Sequence, residues 1–224
     1  MSVKLVCYSK ATNHYKEEGL ENLQDLIAFC AKVSNPSAQI NHETSERLIK
    51  YLIKHQHWSP LEMVNATLEI KTTRDIAHQI VRHRSFAFQE FSQRYADPEA
   101  QGDMFEYSEA RLQDPKNRQN SIETDDVALQ VWWDSQQKFI AEAAKVIYDN
   151  AIEKGIAKEQ ARKVLPEGLT KTTLYMQGSI RSWVHYIELR GSNGTQKEHM
   201  EIAMACAKVI AGIFPLAGEL TNES

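Results

Sequence analysis

Apolar and polar side chains alternate along two short stretches of the chain, residues 3–8 and 63–70. A repeat of two places every apolar side chain on the same face of an extended strand. Both stretches are therefore predicted to be β-strands. Residues 170–175 are predicted to be extended as well.

Over most of the remaining chain, apolar residues recur every three or four positions, which predicts amphipathic helices. The predicted helices are 20–33, 45–54, 74–84, 126–153, 158–165, 179–189 and 196–213. The polar segment 97–121 contains Pro98 and Gly102 and is predicted to be a long surface loop. Strands and helices do not alternate regularly, so the predicted fold class is helix-rich α+β. A single domain is expected over residues 1–224, with a C-terminal tail at 216–224.

The charge balance narrows the class of partner. The 224 residues include 26 Lys and Arg against 30 Asp and Glu, a formal charge of −4. This balance disfavours a protein dedicated to nucleic acid or to a membrane surface, although it leaves room for a local basic pocket. No apolar run approaches the roughly 18 residues of a membrane span, and the N-terminus lacks the apolar core of a secretion signal. The expected location is the cytoplasm.

Cysteine and histidine give little sign of nucleophilic or metal chemistry. Cys7, Cys30 and Cys206 are odd in number and far apart, so they do not form a disulfide framework. Cys30 and Cys206 lie in apolar helical stripes, which favours buried structural thiols over nucleophiles. No predicted helix carries a histidine pair four residues apart, and no metal site is predicted.

The densest group of polar side chains lies between Gln79 and Tyr95. On the predicted helix, Gln79, Arg82 and His83 share one face. Two arginines that flank a histidine repel one another unless an anion neutralises them, which suggests a pocket for phosphate or carboxylate. The alternative is a solvated helix end whose cations complement the helix dipole. The charge pattern alone does not choose between the two.

Two other polar groups have a structural explanation available. Ser59, Pro60 and Glu62 fit a capping box, with His57 just before it as an ordinary surface residue. Arg181 and His185 share a helix face with a nearby glutamate, as in an exposed salt-bridged face.

A resemblance to a known family favours the functional interpretation. The segment 79–95 resembles flavin-dependent thymidylate synthases, whose signature is R-H-R, seven residues, and then Ser. Here the signature reads Arg82-His83-Arg84 and then Ser92. Four further matches to the family are 31–34, His57-x-Ser59-Pro60-x-Glu62, Arg162-x-Val164-Leu165-Pro166 and Arg181-x3-His185-x4-Arg190. The resemblance as a whole covers roughly residues 1–215.

The resemblance implies a reaction, cofactors and an assembly. Members of this family methylate dUMP to dTMP, with 5,10-methylenetetrahydrofolate as the carbon donor and NADPH as the reductant through bound FAD. They use no cysteine nucleophile. They are homotetramers with shared active sites, and their fold has a small, mainly antiparallel sheet. The implied partners are small molecules and further copies of this chain.

By position, the resemblance assigns a role to each matching residue. The catalytic role falls to Arg190, whose guanidinium would stabilise negative charge on the uracil ring. The implied dUMP-binding residues are Gln79, Arg82, Glu90, Phe91, Ser92, Gln93, Arg94, Arg162 and Arg190. The implied FAD-binding residues are Ser34, Ser59, Glu62, Arg82, His83, Arg84, Gln89, Glu90, Ser179, Arg181 and His185. His57 is assigned to the folate or NADPH side.

The sequence departs from the family pattern at a few places. Gln89 and Ser179 stand where the family often has Asn, which puts individual flavin contacts in question. Residues 167–171 are one longer than a common form. The region 191–198 aligns poorly, and no histidine ligand is assigned there.

Two alternatives belong to other classes of protein. A nucleotide- or RNA-binding module would use the arginines of 82–94 with Phe86, Phe88, Phe91 and Tyr95 for stacking. A metal-dependent hydrolase would require stoichiometric metal. The chain has no G-x-G-x-x-G or P-loop motif, so any phosphate would be held by arginines and helix N-termini.

Overall fold

The computed structural model describes residues 1–41, 43–192 and 194–216. Within these ranges the strands are β1 (Ser2–Tyr8), β2 (Asn65–Thr73), β3 (Ala87–Glu90), β4 (Arg111–Gln113), β5 (Ser121–Glu123) and β6 (Lys171–Ser179). The helices are α1 (Asn13–Glu17), α2 (Leu23–Ala31), α3 (Ser45–Lys54), α4 (Arg74–Ile80), α5 (Val127–Glu153), α6 (Lys158–Ala161), α7 (Ile180–Arg190) and α8 (Lys197–Ala211). The predicted tail at 216–224 lies outside the described residues except for Leu216.

The main sheet is antiparallel throughout and has the strand order β1-β2-β6-β3. β2 and β6 pair along their whole length, from Asn65 opposite Ser179 to Thr73 opposite Lys171. β3 pairs with the other edge of β6, with Glu90 opposite Leu174. The helix-rich α+β class with a small antiparallel sheet is therefore confirmed.

One face of this sheet carries the hydrophobic core. Ala66, Leu68 and Ile70 alternate with partly exposed residues along β2 and are almost completely buried. They pack under α2, α3, α4, α7 and α8. Trp183 of α7 is fully buried, and its indole N–H donates to the Ala66 carbonyl oxygen over 3.1 Å. This bond fixes the start of α7 against the centre of the sheet.

The segment 97–121 is more structured than a surface loop. It contains the first strand of the β4–β5 hairpin and the buried side chains of Met104 and Ala110. The carboxamide of Gln130 on α5 both accepts from the Ala110 N–H (2.8 Å) and donates to its carbonyl (2.9 Å). Gln137 makes the same pair of bonds with Ser108, at 3.0 and 2.8 Å. The segment is otherwise mostly a surface loop, but side chains of α5 satisfy the backbone groups of Ser108 and Ala110 within it.

Two predicted helices end earlier than the hydrophobic pattern indicates. The helix predicted at 74–84 ends at Ile80, and tight turns follow it. The helix predicted at 158–165 is the single turn α6 followed by a 3-10 turn, Arg162–Val164. The remaining predicted helices are confirmed with end shifts of a few residues, of which 45–54 matches α3 at both ends.

Candidate functional site

The last residue of α7, Arg190, lies against His83. Its Nε–H donates to His83 Nε2 over 3.0 Å. His83 is brought to Arg190 by the turn after α4, which packs the His83 ring edge-on against the Tyr186 ring, with ring centroids 5.0 Å apart. The same turn packs Phe86 against Trp183, at 4.8 Å. The helix α4 ends at Ile80. Gln79, Arg82 and His83 therefore do not share a helical face, contrary to the prediction.

This placement of His83 favours its neutral form. Burial, and then the positive charge of Arg190, lower the pKa of His83 below its ordinary value. A neutral imidazole has one nitrogen that accepts, and here Nε2 accepts from the guanidinium. The result is a permanently charged arginine oriented by an uncharged histidine.

The neighbours of His83 in sequence have a different environment. Arg82 and Arg84 are exposed, and neither forms an ion pair within the part of the chain that the structure describes. Arg162, at the end of α6, is half-exposed and likewise has no ion pair there. A guanidinium that has no ion pair in the described chain is suited to a phosphate or carboxylate ligand.

A second group of the predicted residues meets at the start of α7. Ser179 caps this helix, and its Oγ accepts the Ser182 N–H over 3.2 Å. Arg181 pairs with the carboxylate of Glu62. His185 packs against Trp58, with ring centroids 4.4 Å apart.

The capping box predicted at 59–62 was wrong. Ser59–Glu62 form a 3-10 turn whose first N–H groups receive no side-chain cap. Glu62 pairs with Arg181, which lies 119 positions later in the chain, and is not available to close a box. Ser59, the first residue of this turn, is exposed, as is His57 just before it. Helix α2, whose last residue is three positions before Ser34, packs on the turn.

Glu90 is half-buried in a third group at the end of β3. Its Oε1 accepts from Thr172 Oγ1 (2.9 Å) and from Arg74 Nη1 (3.4 Å). The next residue, Phe91, continues the pairing by donating its N–H to the Thr173 carbonyl oxygen over 2.9 Å. A cavity of about 440 Å³ lies here, lined by Gln89, Glu90, Phe91, Gln101, Thr173 and Tyr175 among others.

Ser92 and the residues after it continue this group towards α6. Ser92 Oγ accepts the Arg94 N–H over 3.4 Å, and the Arg94 Nε lies 3.3 Å from Glu159 Oε2. Gln93 is buried, and its Nε2 has no hydrogen-bond partner in the described chain. Arg162 follows Glu159 by three residues, so both lie on one turn.

The predicted site residues thus form separate groups. Among the described residues, no hydrogen bond or ion pair joins the Arg94 and Arg162 group to Arg190 and His83. The three cysteines differ in burial: Cys206 is buried, Cys30 is half-buried and Cys7 is exposed. Burial raises the pKa of both Cys30 and Cys206, which keeps these two as thiols.

His199 and Tyr186 belong to the Arg190 group but were missed by sequence reasoning. His199 is fully buried on α8, with Nδ1 3.2 Å from Gln79 Oε1 and Nε2 3.2 Å from the Tyr186 hydroxyl. The available signal was a histidine on the apolar stripe that continues through Ile202, Ala203 and Cys206. A polar residue on such a stripe requires partners from another element.

Two absences complete the geometry. Within residues 1–41, 43–192 and 194–216, no cluster of three or more His, Cys, Asp or Glu side chains is placed to hold a metal ion. None of the helices in those ranges is long and apolar enough to span a membrane.

The fold and the site together define a helix-rich α+β protein that presents unpaired guanidiniums around an oriented arginine–histidine pair. The model of the family described as "Thymidylate synthase complementing protein" matches residues 18–216. The chain is 49% identical over 215 residues to a "Probable flavin-dependent thymidylate synthase" of Paramecium bursaria Chlorella virus 1, covering 96% of each chain. It is 48% identical over 192 residues to a "Flavin-dependent thymidylate synthase" of Synechocystis sp., covering 86% of each. The chain therefore belongs to this family, and the resemblance seen in the sequence is confirmed.

A solved structure supports the fold. The crystal structure of a UMP/dUMP methylase, PolB, from Streptomyces cacaoi bound with 5-Br dUMP aligns with a TM-score of 0.77. The alignment covers 98% of this chain and 93% of that one, at 23% sequence identity.

Proposed function

We propose that this protein is an enzyme that methylates dUMP to dTMP. The one-carbon unit would come from 5,10-methylenetetrahydrofolate, and the reducing equivalents from NADPH through FAD. Family membership supports this reaction, since relatives at 48–49% identity carry the name flavin-dependent thymidylate synthase.

The observation that carries the proposal is the Arg190–His83 contact. A guanidinium remains protonated at any physiological pH, and this one is half-buried and held by a neutral histidine. Next to a uracil ring, it would stabilise the negative charge that develops when the ring is activated at C5. This role needs a fixed cation, and the geometry supplies one.

The proposed dUMP-binding residues are those assigned by position, and their contacts support the assignment. Gln79 lies beside the Arg190 group, and Arg82 is exposed two residues after α4. Glu90, Phe91, Ser92, Gln93 and Arg94 line or follow the cavity at the end of β3. We assign the nucleotide phosphate to Ser92, Arg94 and Arg162, because two guanidiniums and a hydroxyl suit a phosphate dianion.

The donor set fits a flavin dinucleotide. Arg82 and Arg84 offer unpaired positive charge for a diphosphate, while His83, Arg181, His185 and Ser179 offer donors for a polar ring edge. The further proposed residues are Ser34, Ser59, Glu62, Gln89 and Glu90. The chemistry that FAD supplies when bound is hydride transfer to the one-carbon unit. The chain's own residues would hold it in place and orient the nucleotide against it.

The folate or NADPH side is proposed at His57. Its ring lies 6.2 Å from that of Tyr51 and 6.3 Å from that of His55, and all three are exposed. Exposed rings at this spacing offer surfaces on which a flat heterocycle can stack.

The protein would work without a cysteine nucleophile. The buried thiol of Cys206 lies in the apolar core, and the raised pKa of Cys30 and Cys206 disfavours the reactive thiolate.

We further propose that the active unit is a homotetramer with shared sites, formed by one domain over residues 1–224. Seven-residue steps along α5 expose Trp132, Phe139 and Val146, with side chains 55, 66 and 59% exposed. Ile140 and Ile147 are exposed beside them. An apolar stripe of this size on a 27-residue helix is typical of a surface that another subunit covers. A shared site would also explain why Arg94 and Arg162 lie apart from Arg190 within one chain. The proposed location is the cytoplasm.

The direct test is an assay with purified, FAD-reconstituted protein. dTMP formation from dUMP is measured by chromatography with 5,10-methylenetetrahydrofolate and NADPH, and each component is omitted in turn. We expect product only in the complete mixture. Product without FAD or without folate, or no product from a folded and flavin-loaded protein, would contradict the proposal.

A further inference from the structure

The buried face of α8 contributes a residue, His199, to which none of the family motifs assigns a role. His199 is fully buried, yet both of its ring nitrogens are within 3.2 Å of a polar atom. One of these atoms belongs to Gln79, a proposed dUMP-binding residue. A buried histidine with two partners is therefore connected to the nucleotide site.

The partners define which nitrogen of His199 carries the proton. Gln79 Oε1 can only accept, so His199 Nδ1 must donate to it. In the neutral ring, Nε2 then accepts from the Tyr186 hydroxyl. Burial, followed by the positive charge of Arg190, lowers the pKa of His199 to about 4, in agreement with a neutral ring.

The chain of hydrogen bonds continues from Gln79 through Gln196 to Glu198. Gln79 Nε2 donates to Gln196 Oε1 (2.7 Å), and Gln196 Nε2 donates to Glu198 Oε2 (3.1 Å). Arg111 Nη2 holds the other carboxylate oxygen of Glu198 at 2.5 Å. Aligned hydrogen bonds of this kind reinforce one another, and here they determine the orientation of the Gln79 carboxamide.

What remains free on Gln79 matches a pyrimidine. After these two bonds, its carboxamide retains one N–H and one oxygen lone pair. The edge of uracil presents a carbonyl oxygen next to a ring N–H, which is the complementary pair. A flipped carboxamide would exchange donor and acceptor and lose this match. Its orientation thus has a consequence for binding.

We propose that His199 is a positioning residue, which holds the Gln79 carboxamide in the orientation that recognises the uracil ring of dUMP. This inference rests on the proposed function. His199 itself is buried and touches neither the substrate nor the reacting atoms.

The test is the dissociation constant of dUMP, measured by titration calorimetry on flavin-loaded protein, because it does not depend on turnover. His199→Phe keeps the ring but removes both hydrogen bonds, and should raise the dissociation constant about five- to tenfold. His199→Asn retains an N–H close to the position of Nδ1 and should remain within about twofold of wild type. Ile210→Val trims the same buried face of α8 without touching Gln79 and serves as the matched control.

A double-mutant cycle separates positioning from general destabilisation. If His199 acts through Gln79, adding His199→Phe to Gln79→Ala should change the dissociation constant less than about twofold. Equal effects of His199→Phe in both backgrounds would overturn the proposal, as would an unchanged constant in the single variant. If His199→Phe does not fold, His199→Met, which also removes both hydrogen bonds, takes its place in the cycle with the same expected results. A tenfold loss in His199→Asn alone would contradict the proposal. A wild-type protein that does not bind dUMP would instead overturn the proposed function.

Discussion

His83 and its two neighbours in sequence show how one short segment can serve two purposes. His83 is half-buried, accepts a hydrogen bond from Arg190 and packs against Tyr186. Arg82 and Arg84 are exposed and have no ion pair in the described part of the chain. The fold therefore assembles the histidine side of the segment in advance. It leaves both arginines exposed, which suits the phosphate-binding role proposed for them.

The assembled side should be the more sensitive to mutation in catalysis. Arg190→Ala removes the oriented cation, and we expect dTMP formation to fall on the order of 10²- to 10³-fold, while bound FAD is largely retained. Turnover and the flavin absorbance of the purified variant are measured together. Loss of all flavin would show that Arg190 has a structural role instead. Arg190→Lys, which keeps charge without the planar donors, should remain well below wild type.

The assembled side should also make the free energy of unfolding depend on pH. The pKa values of His83 and His199 are lowered in the folded protein, the latter to about 4, so the unfolded chain takes up protons first as the pH falls below 6.5. The contribution of the neutral histidines to the free energy of unfolding should therefore be fully present above pH 6.5 and be lost towards pH 4. For His199 alone the loss should be about 3 kcal/mol. Urea denaturation at several pH values measures this decrease. A profile in His199→Asn as steep as that of wild type would contradict the assignment.

The packing that places the segment can be broken without touching a polar group. A Cβ added at Gly178 would lie 2.4 Å from Cδ1 and 2.6 Å from Cε1 of Phe86, whose ring is held against Trp183. We expect Gly178→Ala to lower the free energy of unfolding by about 1–3 kcal/mol. Gly168→Ala is the control, since nothing lies within 4 Å of its added Cβ. Thermal unfolding of the two variants compares them, and equal stability would show that Phe86 can move aside.

The exposed side should affect cofactor binding but not folding. Arg84→Ala removes one unpaired guanidinium, and we expect FAD affinity to fall about tenfold with little change in melting temperature. The loss should shrink at high salt, because exposed charges are screened. Arg118→Ala removes another exposed arginine, on the β4–β5 hairpin, and should leave FAD affinity unchanged. An equal loss in both variants would point to overall charge and not to a site.

The smallest effect is expected from the cysteines. Replacing Cys7, Cys30 and Cys206 together by Ser or Ala should leave dTMP formation intact, because none of them takes part in the proposed chemistry. Activity is compared per mole of bound flavin. A variant that is folded and flavin-loaded yet inactive would refute a mechanism without a cysteine nucleophile.

The parts of the fold that sequence predicts well are those whose pattern is local. The alternation at 63–70 and the apolar stripe at 45–54 require only that one face is buried, and both elements are present. The polar stretch around His83 was also found, because its density of charge needs no knowledge of the fold. Its division into an assembled and an exposed side could not be read from charge alone.

The errors arise where a distant partner decides the local structure. The helix predicted to reach Arg84 ends at Ile80 because His83 and Phe86 pack on α7, about 100 positions later. The predicted capping box fails because Glu62 pairs with Arg181. Two glutamines of α5 order residues 108 and 110 of the predicted loop, which the polar pattern of the loop does not indicate. His199 was missed for the same reason, since its partner Gln79 lies 120 positions earlier.

The central claim is that dUMP binds beside a flavin at the site organised by Arg190, and an absorbance spectrum of the purified protein tests it most directly. The spectrum is recorded on FAD-reconstituted protein before and after addition of dUMP, with dCMP as the nucleotide control. We predict flavin bands that shift on saturation with dUMP, which would place both ligands in one pocket. A protein that cannot be reconstituted with FAD, or flavin bands that saturating dUMP leaves unchanged, would contradict the account.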